Sequence, residues 1–86
     1  MIRIEPSEDL DLVTLALSGR IQAEDLPELK SVIESYGQPV VLNLAGVKLV
    51  DRDSIRFLED FETHKGGITS CPSYIREWIQ RERVEQ

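Results

Sequence analysis

The chain has very little sulfur or imidazole to work with: one cysteine, Cys71, and one histidine, His64. A single cysteine excludes an internal disulfide and fits a reducing compartment. A lone histidine with one distant cysteine makes neither a metal site nor a nucleophile–base pair. His64 falls at the expected end of a helix, as a surface residue. Cys71 falls at a helix entrance, as a half-buried packing residue. Positive charge is also short, with 10 Lys and Arg against 16 Asp and Glu, a formal net charge of -6. Such a deficit disfavours nucleic acid and anionic membrane, because phosphate binding needs clustered cations. Only Arg76, Arg81 and Arg83 gather, and Glu77, Glu82 and Glu85 interrupt them. No run approaches the ~18–20 apolar residues of a membrane span, and "MIRIEPSED" lacks the apolar core of a secretory signal. The expectation is a soluble, cytoplasmic protein without membrane insertion. Gly66-Gly67 precedes a strand rather than a helix, so it is no phosphate loop. No enzyme motif remains, and no metal, cofactor or catalytic activity is expected.

What is present is a foldable composition. The 86 residues are 41% hydrophobic and 30% charged, enough apolar content for a packed core. The length fits a single domain over 1–86, burying only ~60–65% of its unfolded surface and leaving no room for a deep substrate cavity.

Periodicity sets the elements. "MIRIE" (1–5) and "LVTLALSG" (12–19) alternate and suggest a hairpin, with Pro6 and "SEDLD" as its turn and Gly19 as its end. Helix one is predicted from about Ala23 to Tyr36, with Leu26, Leu29, Val32 and Ile33 on one face and Glu24, Asp25 and Pro27 in its first turn. "VVLNL" (40–44) reads as a central strand. Helix two should run from near Asp51 to His64 or Lys65, with Ile55, Leu58 and Phe61 inward, Glu59 and Asp60 outward and Gly66 as C-cap. "GITSC" reads as a stunted strand. Pro72 is placed to open helix three, with Tyr74, Ile75, Trp78 and Ile79 inward and Glu77–Arg81 paired outside. The order β-β-α-β-α-β-α implies an α/β fold: an antiparallel pair, then right-handed parallel steps, with helices against a mixed sheet.

"VVLNLAGVKLVDRDSIRFL" resembles the central segment of STAS domains, the family of the bacterial anti-sigma factor antagonists. There an apolar strand ends in Asp or Asn, a small turn follows, and Asp-Ser-Ser-Gly-Leu opens a helix. Asn43, Gly46, Val47, Val50, Asp51, Ile55 and Leu58 fall in register without a gap. "LSGRI", "GITSC" and "CPSYIREWI" agree with the flanks, so the resemblance covers nearly the whole chain. It implies a STAS-like fold and a non-enzymatic protein-binding module. The second Ser of that motif is phosphorylated by a partner anti-sigma kinase, and the binding surface surrounds this helix N-terminus. Here Arg52 stands at the first Ser, Asp53 at the phosphorylated one and Ser54 at the usual Gly. Sliding by one residue puts Ser54 on the phosphosite but moves Ile55 and Leu58 off register.

The resemblance thus makes Asp51, Arg52, Asp53 and Ser54 the partner-binding residues, with Arg56 at the rim. Asp51 suits an N-cap, and Asp53 supplies a fixed negative charge where the family adds a switched one. Helix capping alone also accounts for both acids. Ser54 is the residual candidate for phosphorylation, opposed by the neighbouring acids. The implied partner is an anti-sigma factor of the serine kinase-like ATPase class. The alternative is the ATPase of a membrane lipid transporter, which some small STAS domains regulate. Some family members are connected with nucleotides, but no motif here supports that.

Overall fold

The computed structural model describes residues 2–85. Its order is β1 (Ile2–Glu8), β2 (Val13–Ile21), a 3-10 turn (Ala23–Asp25), α1 (Leu26–Glu34), β3 (Val40–Val50), α2 (Arg52–His64), β4 (Gly67–Thr69) and α3 (Ser73–Glu85). The strands lie β1-β2-β3-β4. The first pair is antiparallel and the next two are parallel, so the expected α/β mixed sheet is present. α1 and α2 each carry the chain one strand further in the same direction, and right-handed crossovers of that kind put both on one face of the sheet.

Burial follows. In β2, Val13, Leu15 and Leu17 are buried, while Thr14, Ala16 and Ser18 on the opposite face are only half-buried. The covered face meets Leu29 and Ile33 of α1, Ile55, Leu58 and Phe61 of α2, and Ile75 and Ile79 of α3 in one apolar core. Each fully buried side chain of this kind contributes ~1.5–3 kcal/mol of transfer free energy.

Several boundaries differ from the sequence expectation. Pro6 lies inside β1 rather than in a turn; β1 is an edge strand, where a missing N–H costs no ladder bond. Met1 lies outside the described residues. Gly19 does not end β2 but turns through a positive φ of 86°, and the strand continues to Ile21. Glu24 and Asp25 form a separate 3-10 turn ahead of α1. β3 runs on through "AGVKLV". It does so by bulging: β3 advances from Asn43 to Gly46 while β2 advances from Ala16 to Ser18, and the ladder slips again between Gly19 and Arg20. The Asn43 side chain accepts from Ala45 N–H at 2.9 Å at the bulge. A side chain on Gly46 would come within 2.7 Å of Ser18 Cβ.

The second helix ends as expected, with the N–H groups of Lys65 and Gly66 donating to Phe61 O at 2.8 and 3.0 Å. Gly66 is required for space rather than for a left-handed turn, because a Cβ there would overlap the Val40 carbonyl oxygen. Pro72 precedes α3, its carbonyl accepting from Ile75 and Arg76 N–H. Tyr74 faces outward, 46% exposed, instead of entering the core; its hydroxyl donates to Lys48 O at 2.5 Å, which ties α3 to the bulged end of β3. Trp78 is half-buried against the core.

Candidate functional site

The last residues of β2 and β3 lie side by side, Ile21 opposite Val50, and the chain enters α2 at Asp51. Asp51 is extended, with φ -104° and ψ 178°, and its side chain caps α2. One carboxylate oxygen accepts from Ser54 N–H at 2.9 Å. The other accepts from Ala23 N–H at 2.8 Å. Asp51 therefore caps α2 and also pins the turn that leads into α1. Burial works to raise its pKa; the hydrogen bonds from Ser54 and Ala23 outweigh it and hold the carboxyl below its ordinary value.

The sequence places five residues at a surface here, and the structure divides them. Asp53 and Arg56 are exposed on α2 and line a groove facing Leu26 and Lys30 of α1. Asp53 has no ion pair among the described residues. Ser54 is different: it is fully buried, and its hydroxyl donates to Ile21 O at 2.9 Å, joining α2 to the end of β2. Ser54 thus belongs to the packed interior rather than the contact surface, and modification there requires that bond and its surroundings to open.

Arg52 and Arg56 have a role that the sequence reading missed. Both reach Glu82 of α3, at 3.2 and 3.5 Å, and the Glu82 side chain is only 6% exposed. One buried carboxylate thus anchors two largely exposed arginines. The available signal was their i, i+4 spacing on α2, a like-charged pair that calls for an acid nearby. Further along, Glu62 accepts hydrogen bonds from Arg76 Nη1 and Nη2, at 2.7 and 2.9 Å, and from Arg83 Nη2 at 2.6 Å. The Arg76 hydrogen bonds hold Glu62 below the usual carboxylate range. Arg83 also approaches Glu59 at 3.5 Å, so Glu59 faces α3 instead of solvent. The expected Glu77–Arg81 pair is not among the ion pairs of the described residues; Arg76 and Arg83 cross to α2 instead.

The lone histidine is exposed at the end of α2, 3.0 Å from Asp60. Cys71 is half-buried, and burial pushes its thiol pKa up, the direction that slows thiolate chemistry. Among the described residues, no three His, Cys, Asp or Glu side chains converge as metal ligands. No helix among them is long and apolar enough to cross a membrane.

No protein-family model matches the chain, and no curated protein matches it.

Proposed function

We propose that this protein is a non-enzymatic interaction module of the STAS type, resembling the anti-sigma factor antagonists. It docks a protein partner through the loop before α2 and the first turn of that helix. The observation that carries this reading is the pairing of a fixed frame with a free charge. Asp51 bridges two amides and Ser54 anchors the helix to β2, while Asp53 stands exposed beside them and makes no ion pair among the described residues. A rigid support for a solvent-facing acid limits the ordering cost of binding.

In this reading Asp53 supplies permanently part of what a phosphoserine supplies on demand. It carries one charge and two acceptor oxygens, against about -1.5 to -2 charges and three oxygens for the phosphate. Arg52 and Arg56 hold α3 through Glu82 and border the contact. The module is cytoplasmic, needs no cofactor, and its partner is an anti-sigma factor of the serine kinase-like ATPase class.

Capture on the tagged protein from its native cells, with mass spectrometry of bait and prey, tests this. The expected prey is such an ATPase, with the bait unphosphorylated. Capture of a transporter ATPase instead, or stoichiometric phosphate on Ser54, contradicts it.

A further inference from the structure

The β1–β2 turn presents an apolar knob. Asp9 N–H donates to Leu12 O at 2.9 Å, and Gln38 Nε2 reaches across to the carbonyls of Asp9 and Leu10 at 3.4 and 3.2 Å. The turn is tied to the α1–β3 connection, yet it holds Leu10 94% exposed. Glu8, Asp9 and Asp11 surround it, all exposed.

A leucine held outward among acids is complementary to an apolar recess edged by a cation. The far end of the same sheet has one. Ile21, Leu49 and Val50 line a hollow together with Arg20, Gln22 and Asp51. Leu49 is 55% exposed, and Arg20 is its partner in the ladder. The carboxylate that lines this hollow, Asp51, has both oxygens engaged by amides.

Knob and hollow lie at opposite ends of β2, which has nine residues, roughly 26 Å apart at strand rise. They cannot meet within one molecule. We propose that copies of this protein associate head to tail, the Leu10 turn of one seated on the Arg20–Leu49 end of the next. Such a contact is heterologous and leaves a free knob and a free hollow at the two ends, so it extends into short open chains instead of closing as a dimer. Each copy carries a net charge of -6, but at physiological salt the repulsion is screened over ~8 Å, and the local charges at the contact govern. A turn-sized contact is smaller than a standard interface of ~1,600 Å², so the association is weak and reversible. The proposal stands on this geometry alone and does not depend on the partner reading.

Sedimentation equilibrium from micromolar to millimolar protein tests it, using two surface variants, Leu10→Ser and Leu49→Asp, whose melting temperatures confirm folding. The wild type should show an average mass that climbs steadily with concentration. Each variant alone should stay monomeric. Their equimolar mixture should form 1:1 dimers and nothing larger, because one retains the hollow and the other the knob. A wild type that is monomeric throughout overturns the proposal, as does association undiminished in either variant, or a mixture that stays monomeric.

Discussion

Asp51 and Ala23 lie 28 positions apart and share a hydrogen bond of 2.8 Å, from the Ala23 N–H to an Asp51 carboxylate oxygen. With the cap that the other oxygen makes to Ser54, this bond fixes the entry of α2 against the exit of β2. Asn keeps one acceptor but brings an NH2 group against the other amide. Asp51→Asn should therefore destabilise by ~1–2 kcal/mol, read from urea unfolding at neutral pH.

The same contact predicts a pH dependence. The pKa values of Asp51 and Glu62 are lowered in the folded state, so each contributes stability that is complete above its unfolded-state value. That contribution is lost as the pH falls from about 4 through the folded-state values. Wild type and Asp51→Asn should differ in stability at pH 7 and converge as the pH falls below the unfolded-state value of about 4 and through the lowered folded-state one. A gap that stays constant throughout acidification assigns the loss to something other than the charge.

Glu82 should reveal itself through non-additivity. Arg52→Ala or Arg56→Ala alone leaves the other arginine on the carboxylate, and because both are largely exposed each should cost under about 1 kcal/mol. Losing both leaves a buried carboxylate without a counter-charge and should cost ~1–3 kcal/mol beyond the sum. A double-mutant cycle in urea measures the excess.

Ser54 should respond as an interior residue. Ser54→Ala removes the hydroxyl's bond and leaves the Ile21 carbonyl only the longer one from Asp51 N–H at 3.3 Å, and should cost about 1 kcal/mol. Ser54→Asp puts a charge in a fully enclosed position and should lower the melting temperature far more. A Ser54→Asp variant as stable as the wild type contradicts the packing described for this residue.

Two glycines separate space from flexibility. Gly66→Ala forces a methyl against the Val40 carbonyl oxygen and should destabilise by ~1–3 kcal/mol or more. Gly37 has open space around its Cβ position, so Gly37→Ala should be neutral or gain up to about 1 kcal/mol. Thermal melts of the pair give the comparison.

The order of strands and helices is legible because alternation in 12–19 and the Ile55–Leu58–Phe61 spacing each select one period. The second half of β3 is not, because two bulges break alternation just where Ala45, Gly46 and Lys48 occur. Pro6 reads as a turn unless the strand is known to be an edge. Tyr74 reads as core because its spacing to Trp78 is helical, but its hydroxyl finds a partner on the outside of β3. At the site, Asp51 is legible as a cap. Its second bond to Ala23 is a long-range contact with no local signal. Ser54 sits at i, i+4, i+7 with Leu58 and Phe61, a pattern that marks its burial, yet a hydroxyl beside two acids draws attention as surface chemistry. Glu82, in the charged run "RERVE", reads as solvated because nothing in α3 announces the two arginines above it.

The central claim is that a partner docks on the α2 N-terminus around Asp53. The most direct measurement compares prey captured from native lysate by the wild type, by Asp53→Lys and by Glu28→Lys, an exposed control on α1 with the same charge change. The account predicts that one ATPase prey is retained by the wild type and the control and lost, at least tenfold, by Asp53→Lys. Equal capture by all three contradicts it.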